Sequence, residues 1–287
     1  MIPYAEVIGD PIAQSKSPVI HGFWIEALGL DADYRRAHVT PEALAGYLAE
    51  RRSDPDWRGC NVTMPHKTAV LPLVDELDET ARAVGAVNTI VRRGDTLLGY
   101  NTDVVGIGEP LDRPENRIGG YPRHVATYAQ IIGTGGAARA AGVAMARRGE
   151  IEFFSRDMSR AMELADTFGL PEAFGHGLDQ LGPARNPDDG ADEQRYSHIV
   201  LNASPMGMEG KPPVPIDLSP YYPDTIVFDM VYAPLETSLL AQARARGLRT
   251  IGGLDMLIGQ AAAAFTHFFD AEPPRERDPE LRERLLA

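Results

Sequence analysis

A glycine-rich turn at residues 133–138 constrains the fold of this chain more than any other segment. The turn reads Gly-Thr-Gly-Gly-Ala-Ala, follows the apolar run 129–132 and opens an alanine-rich stretch that is typical of a helix. Between a strand and a helix, this spacing indicates a dinucleotide pyrophosphate site, because glycines admit the phosphates and the helix N–H groups attract them. The predicted cofactor-binding residues are Gly133, Gly135, Gly136 and Ala137.

The next predicted strand ends at Ser155 and Arg156, about twenty residues beyond the glycines. An acidic side chain at this place binds the ribose 2′-hydroxyl of NAD, whereas an arginine pairs with the 2′-phosphate of NADP. Arg156, supported by Arg160 one helical turn further on, therefore indicates NADP. Two alternatives stay open: both arginines are merely solvated at a helix start, or Asp157 shifts the preference toward NAD.

Short apolar runs alternate with helical patterns along the whole chain and predict the α/β class. At 287 residues, two domains are a better expectation than one. A polar stretch at 111–123 marks the junction, and a second polar stretch at 182–195 predicts a surface loop. The second half is expected to wind as parallel βαβ units in a Rossmann-type sheet. Predicted strands are 5–9, 34–39, 59–62, 86–92, 96–100, 129–132, 151–154, 198–202 and 225–229; predicted helices are 18–28, 41–51 with Thr40 as N-cap, one from about His66, and 256–269.

Charge and cysteine content limit the function classes. The formal net charge is −13, which argues against a nucleic-acid or anionic-membrane surface, although an anionic small substrate remains compatible with a locally cationic or hydroxyl-rich pocket. The single cysteine, Cys60, has no partner for a disulfide or a cysteine-based metal site. No apolar run is long enough to span a bilayer and no leader pattern is evident, so a cytoplasmic protein without a metal is expected.

Polar side chains follow the predicted strands of the first half, where open α/β sheets bind their ligands. Residues 61–67 read Asn-Val-Thr-Met-Pro-His-Lys, and residues 99–103 read Gly-Tyr-Asn-Thr-Asp. Earlier in the chain, Ser15 and Ser17 lie in a turn before a helix, which suits a substrate carboxylate or, alternatively, only a helix cap. Taken singly, each segment fits an ordinary surface turn equally well.

In this order, however, the segments resemble the shikimate dehydrogenase family. That family's pattern includes Ser-x-Ser-Pro, Asn-Val-Thr-x-Pro-x-Lys, Gly-Ala-Val-Asn-Thr and Asn-Thr-Asp, and this chain has all four, the third at 85–89. Segments 202–208, 229–232 and 253–260 extend the similarity over almost the whole chain. The resemblance implies reversible hydride transfer between NADPH and 3-dehydroshikimate, giving shikimate, on the pathway to chorismate and the aromatic amino acids.

The resemblance also implies residue roles. Lys67 would be the general acid/base, with Asp103 ion-paired to it and contacting a substrate hydroxyl. Nicotinamide would lie near Met230 and Gly253. The implied substrate-binding residues are Ser15, Ser17, Thr63, Asn88, Asn101, Tyr232 and Gln260. For Tyr232 and Gln260, packing with satisfied polar ends is an alternative.

In this family the final helix returns to the first domain. The implied substrate-binding and catalytic domain, with a mixed sheet, therefore comprises 1–106 and 256–287, and the NADP-binding domain comprises 107–255. The chain departs from the commonest family pattern at Gln14, Gly22, Ser155 and Asp157. Two other functions consequently stay open: an NAD(P)-linked quinate/shikimate dehydrogenase, and a non-catalytic nucleotide or metabolite sensor. The expected partners are small molecules, and the protein is expected to be a monomer or a homodimer.

Overall fold

The computed structural model describes residues 2–116, 127–183 and 197–286. The chain divides into two compact units, one made of Met1–Gly106 with Ile258–Ala287 and the other of Ile107–Leu257. Each unit contains one six-stranded sheet, and helices pack on both sheets. The predicted α/β class is therefore confirmed. Within the described residues, no helix is long and apolar enough to cross a membrane.

The helices and strands are numbered in chain order. Up to residue 112 they are β1 (Tyr4–Gly9), α1 (Ser17–Leu28), β2 (Asp33–His38), α2 (Leu44–Arg52), β3 (Trp57–Val62), β4 (Glu76–Leu77), α3 (Glu79–Val84), β5 (Thr89–Arg93), β6 (Thr96–Tyr100) and α4 (Asp103–Asp112). From residue 127 they are β7 (Thr127–Ile132), α5 (Gly136–Ala146), β8 (Gly149–Ser155), α6 (Met158–Thr167), β9 (Gly175–Gly177), β10 (Ser197–Asn202), β11 (Ile226–Asp229), α7 (Ser238–Ala245), β12 (Arg249–Gly252), α8 (Gly253–Phe269) and α9 (Asp278–Leu286).

The first sheet is mixed, with the strand order β2-β1-β3-β5-β6-β4. Strand β1 runs parallel to β2 and β3, whereas β5 runs antiparallel to β3 and β6. The loops after β1, β3 and β6 and the loop before β5 consequently meet at one edge of the sheet, called here the loop edge. The predicted mixed sheet is confirmed, and its one reversed strand decides which loops become neighbours.

Both faces of this sheet bury large apolar side chains. One face carries Trp57, Ile90 and Leu97, all fully buried, and packs against α2. The other face is covered by α1 and α8, whose aromatic rings Trp24 and Phe265 lie 5.5 Å apart in an edge-to-face contact. Burying each such side chain stabilises the fold by roughly 1.5–3 kcal/mol, so the sheet is a rigid base for its loops.

The second sheet is parallel throughout, with the order β12-β11-β10-β7-β8-β9, which confirms the predicted Rossmann-type winding. Its central strands are almost entirely buried, as expected for a sheet covered on both faces. Helix α5 packs closely against Phe168, the residue that follows α6, because Gly142 has no side chain. A Cβ at residue 142 would lie 2.4 Å from the ring of Phe168.

Two local predictions for the first unit are wrong. No α-helix begins near His66; that stretch forms hydrogen-bonded turns and a 3-10 turn at Leu71–Leu73. Pro72 explains the difference, because it lacks an N–H group and would clash with the carbonyl one turn earlier in an α-helix. Helix α2 also begins later than predicted, after Ala43, and the carbonyl of Thr40, not its hydroxyl, accepts the N–H of Ala43 at 3.1 Å.

Several boundaries also differ from the prediction. The strand predicted at 86–92 begins only at Thr89, because residues 85–88 form the loop that enters it. The helix predicted at 256–269 begins three residues earlier, at Gly253. The predicted junction at 111–123 and the predicted surface loop at 182–195 lie largely outside the described residues.

Candidate functional site

Backbone hydrogen bonds hold the four motif loops together at the loop edge. The N–H of Thr63 donates to Ile8 O at 3.0 Å, and the N–H of Val62 donates to Asn88 O at 2.7 Å. The N–H of Asn88 in turn donates to Tyr100 O at 3.0 Å. The loop after β1, the segment 63–67, the segment 85–88 and the segment 101–103 are therefore fixed relative to one another by the sheet itself.

Lys67 and Asp103 form an ion pair at this edge. Lys67 Nζ lies 2.6 Å from Asp103 Oδ2, and the side chains of the two residues are 20% and 5% exposed, respectively. The carboxylate belongs to the first turn of α4, where the helix dipole favours negative charge. The backbone of the lysine is also held, since its carbonyl accepts the N–H of Val87 at 2.8 Å. The arrangement presents a partly exposed amine that is oriented by a buried carboxylate.

Asn88 binds the second oxygen of the same carboxylate. Its Nδ2 donates to Asp103 Oδ1 at 2.9 Å and to Thr102 Oγ1 at 3.0 Å. Its Oδ1 accepts the N–H of Thr102 at 2.8 Å and the hydroxyl of Thr89 at 3.0 Å. The structure thus brings three of the predicted site residues together, namely Lys67, Asn88 and Asp103.

Asn101 is enclosed in the loop that leads into α4. Its side chain is buried, its Nδ2 donates to Ala86 O at 2.9 Å, and its Oδ1 accepts the N–H of Asp103 at 3.1 Å. These bonds shape the turn that carries the aspartate. The sequence analysis did not identify the neighbours Thr89 and Thr102 as site residues. The one indication for them is their position in the motif segments 85–89 and 101–103.

Ser15 and Ser17 are both buried in the loop after β1 and at the start of α1. The N–H of Ser17 donates to Ser15 Oγ at 3.3 Å. The guanidinium of Arg36 donates twice to Ser15 O, from Nε at 3.0 Å and from Nη2 at 2.6 Å. The N-cap position of α1 is Lys16, without a side-chain cap bond, so Ser17 does not serve as the cap. The loop instead gathers hydroxyl groups beside a cation.

Thr63 is half-buried at the end of β3, and its position depends on Gly9. A Cβ on that glycine would lie 2.5 Å from Thr63 Cγ2 and 3.0 Å from Met64 O, so any larger residue would push the two loops apart. The remaining predicted residue of the first unit, Gln260, is buried on α8.

The glycine turn of the second unit has the backbone of a phosphate-binding loop. Gly133 has φ 122°, and a Cβ there would lie 3.0 Å from the carbonyl oxygen of Ala203. Gly135 is the N-cap of α5, with open space where its side chain would be, and Gly136 begins the helix. Free N–H groups at the start of an eleven-residue helix, beside space that glycines leave open, fit the pyrophosphate of a dinucleotide.

The polar residues after β8 differ in how they are engaged. Ser155 ends the strand, and its Oγ accepts the N–H of Asp157 at 3.3 Å. Asp157 is the N-cap of α6, because its Oδ1 accepts the N–H of Ser159 at 3.2 Å, and its other oxygen lies 3.6 Å from Arg160 Nε. Arg156 is exposed, so its guanidinium can reach a phosphate outside the strand end.

Met230 and Gly253 lie close together in the second unit. A Cβ on Gly253 would lie 2.4 Å from Met230 O, so only glycine allows α8 to begin here. Tyr232, two residues beyond, is half-buried, and burial raises the pKa of its hydroxyl. The segment is tied to β10 by the N–H of Met230, which donates to Asn202 O at 3.0 Å.

A buried polar cluster joins two further motif segments of the second half, 202–208 and 229–232. Asn202 Nδ2 donates to Asp229 Oδ1 at 2.9 Å and to Met206 O at 2.8 Å, and Thr237 Oγ1 donates to Asp229 Oδ2 at 2.6 Å. Burial raises the pKa of Asp229, while these donors act in the opposite direction. The cluster anchors the loops after β10 and β11 and thereby places Met230 and Tyr232.

Two family models match the chain. The one for the shikimate dehydrogenase substrate binding domain matches residues 7–90, and the one for the shikimate 5′-dehydrogenase C-terminal domain matches residues 253–277. A shikimate dehydrogenase (NADP+) from Sphingopyxis alaskensis is 52% identical in an alignment of 288 positions that covers 99% of this chain and 97% of that relative.

Solved structures give a similar result. Shikimate 5-dehydrogenase from Thermus thermophilus, in complex with NADP(H) and shikimate, superposes with a TM-score of 0.81 at 33% identity and covers 98% of this chain and 99% of its own. Quinate dehydrogenase from Corynebacterium glutamicum, in complex with NAD, has a TM-score of 0.80 at 32% identity, with 98% and 99% coverage.

Proposed function

The chain belongs to the shikimate dehydrogenase family, and on that premise we propose how its residues carry out the family's reaction. The protein is an NADP-dependent oxidoreductase that interconverts shikimate and 3-dehydroshikimate in the shikimate pathway. The observation that carries the assignment of roles is the Lys67–Asp103 pair at 2.6 Å, held by Asn88 at the loop edge.

Lys67 is the general acid/base in this proposal. During reduction of the ketone its ammonium donates a proton to the oxygen that becomes a hydroxyl, and during oxidation its amine removes that proton. Asp103 holds the amine in place and offers its carboxylate to a neighbouring substrate hydroxyl, while Asn88 keeps the carboxylate from rotating. The cofactor, when bound, would supply the hydride as NADPH during reduction and accept it as NADP+ during oxidation.

The second unit supplies the residues that would hold NADP. Its glycine turn and the start of α5 fit the pyrophosphate, and Arg156, with Arg160 as support, fits the 2′-phosphate. Because Asp157 caps α6, its carboxylate already has a role that does not require a ribose. Ser155 would border the adenosine ribose, and Met230 and Gly253 would border the nicotinamide. We accordingly assign NADP binding to the second unit and the substrate contacts of Ser15, Ser17 and Thr63 to the first.

Hydroxyl and amide groups would recognise the substrate. Ser15 and Ser17 are proposed to bind its carboxylate, beside the positive charge of Arg36. Asn101 can contribute only the Nδ2 proton that does not bond to Ala86. The remaining proposed contacts to hydroxyls and carboxylate come from Thr63, Tyr232 and Gln260. Both Nδ2 protons of Asn88 are already donated to Asp103 and Thr102, so Asn88 acts on the substrate through Asp103.

The test is steady-state oxidation of shikimate and of quinate, each with NADP and with NAD, followed by the absorbance of the reduced cofactor. We expect rapid turnover with shikimate and NADP. Preference for quinate or NAD would instead make the chain a broader quinate/shikimate dehydrogenase, and binding without turnover would make it a sensor. In the same assay Lys67→Ala should lower turnover far more than NADP affinity; unchanged turnover would contradict the catalytic role.

We also infer that the protein works in the cytoplasm on small molecules, since its single cysteine, Cys60, is a buried free thiol. A monomer or a homodimer remains the expected assembly.

A further inference from the structure

A chain of buried hydrogen bonds leads from Asp103 into the first sheet. Asn88 Nδ2 donates to Asp103 Oδ1 at 2.9 Å, and Thr89 Oγ1 donates to Asn88 Oδ1 at 3.0 Å. Asn61 Nδ2 donates to Thr89 Oγ1 at 3.1 Å, and the hydroxyl of Tyr34 donates to Asn61 Oδ1 at 2.5 Å. All five side chains are buried. The chain crosses the sheet from β2 to the start of α4.

The direction of each bond follows from the first donor. Tyr34 gives its only hydroxyl proton to Asn61 Oδ1, so that amide presents its NH₂ group to Thr89. The threonine hydroxyl accepts there, and its own proton therefore points to Asn88 Oδ1. With its oxygen engaged in this way, Asn88 turns its Nδ2 toward one oxygen of Asp103 and leaves the other oxygen for the lysine.

The sheet is built to let Tyr34 reach across it. In the strand register, Tyr34 on β2 is level with Ala5 on β1 and Gly59 on β3, and these two residues have almost no side chain. The ring can thus extend over β1 to Asn61. The imidazole of His21 stacks on it at 3.9 Å between centroids and 3° between planes, and burial lowers the pKa of this histidine to about 3, so the stacked ring is neutral.

We propose that Thr89, Asn61 and Tyr34 are positioning residues for hydride transfer. They fix the side-chain amide of Asn88 and, through it, the carboxylate of Asp103. The proposal rests on the proposed function, because it requires the lysine–aspartate pair to perform the acid/base chemistry. These residues act on the rate of the reaction and not on cofactor binding.

Thr89 is the member of the chain whose loss should matter most. Without its hydroxyl, the Nδ2 group of Asn61 is buried without this acceptor, and Asn88 Oδ1 keeps the N–H of Thr102 as its closest donor. The amide of Asn88 is then less firmly held, so Asp103 adopts its productive orientation less often. We expect turnover to decrease about tenfold, because the net contribution of one hydrogen bond corresponds to about a factor of ten in rate.

The experiment compares kcat and KM of Thr89→Val, which keeps the shape of threonine, with those of the unchanged protein. We expect kcat for shikimate oxidation to decrease about tenfold, with KM for NADP unchanged, and Thr89→Ser to restore kcat to within about twofold. Thr225→Val is the matched control: Thr225 is buried in the second unit, and its hydroxyl has no hydrogen-bond partner among the described residues. Its kinetics should be unchanged.

A double-mutant cycle tests whether Thr89 acts through Asn88. If it does, Thr89→Val combined with Asn88→Ala loses little more activity than Asn88→Ala alone. Losses that multiply, or unchanged kcat in folded Thr89→Val, would overturn the proposal. If Thr89→Val does not fold, Tyr34→Phe takes its place, with a smaller decrease in kcat expected and unchanged kcat contradicting the proposal.

Asp103→Asn in the same assay separates this inference from the proposed function. An active Asp103→Asn enzyme would contradict the catalytic role of the pair, and the positioning role with it. An inactive Asp103→Asn enzyme beside a fully active Thr89→Val enzyme would contradict only the positioning role.

Discussion

Each oxygen of the Asp103 carboxylate has one strong donor, Lys67 on one side and Asn88 on the other. A carboxylate with two such partners has one orientation, and the amine it holds therefore has one position from which to exchange a proton. Neither sequence spacing nor helix pattern indicates this geometry, because the three residues come from three separate loops.

Asp103→Asn keeps the shape of the side chain and removes its charge. We expect kcat to decrease about 10²- to 10⁴-fold with little change in KM for NADP, because the amine loses the ion pair that orients it. Steady-state shikimate oxidation measures both constants. Asp75→Asn is the control, since it breaks a 2.6 Å ion pair with Arg52 at a more exposed place and should retain turnover. Equal losses in the two variants would contradict the assignment.

Arg156→Ala should discriminate between the two nicotinamide cofactors. Loss of a guanidinium that pairs with a phosphate is expected to raise KM for NADP roughly 10- to 100-fold and to leave KM for NAD nearly unchanged. Arg147→Ala, at the far end of α5 from the glycine turn, is the matched control and should alter neither constant. A similar increase in KM for both cofactors would show that Arg156 does not read the 2′-phosphate.

Among the helices and strands, the sequence predicts those that depend on local hydrophobic periodicity or on the conformational freedom of glycine. The strand, glycine turn and helix at 127–146 lie where the pattern placed them, because each depends on local sequence. The helical pattern after His66 does not form an α-helix, because Pro72 interrupts it. The bond between Tyr34 and Asn61 could not be predicted at all, since it depends on the register of three strands that are distant in sequence.

Gly253→Ala tests the junction between β12 and α8. A methyl group would lie 2.4 Å from Met230 O, so the backbone beside the proposed nicotinamide site must shift. We expect a loss of roughly 1–3 kcal/mol in the free energy of unfolding and a higher KM for NADP. Gly22→Ala is the control, because it lies inside α1 with no atom within 4 Å and should be neutral or stabilising. If both variants match the unchanged protein in unfolding free energy and in KM for NADP, the close contact between residue 253 and Met230 O contributes to neither property.

In the whole molecule, the unfolding of the first unit can be measured separately from that of the second. The chain's two tryptophans, Trp24 and Trp57, are both fully buried in the first unit, so tryptophan fluorescence reports the unfolding of that unit alone. His21 lies in the same unit, with aromatic rings around it and a pKa lowered to about 3 by burial.

This histidine should make the first unit sensitive to acid. A histidine with a lower pKa in the folded state than in the unfolded state takes up a proton on unfolding, so its contribution is complete above about pH 6.5 and decreases toward pH 3. Between pH 6.5 and 5 the loss should be about 1.6 kcal/mol. Urea unfolding followed by tryptophan fluorescence at several pH values measures it. His21→Phe should have a flatter pH dependence; an identical dependence would rule out His21 as its source.

The first unit consists of two segments that are separated in sequence by the second unit, namely Met1–Gly106 and Ile258–Ala287. Phe265 and Phe268 of α8 pack against His21, Trp24 and Tyr34, so the core beneath the loop edge is assembled from residues that precede the second unit and residues that follow it. On the ribosome, about 150 residues of the second unit must emerge before that core can close. Lys67 and Asp103 are therefore synthesised before the second unit, but a chain truncated before α8 would leave them on a sheet with one face incompletely covered.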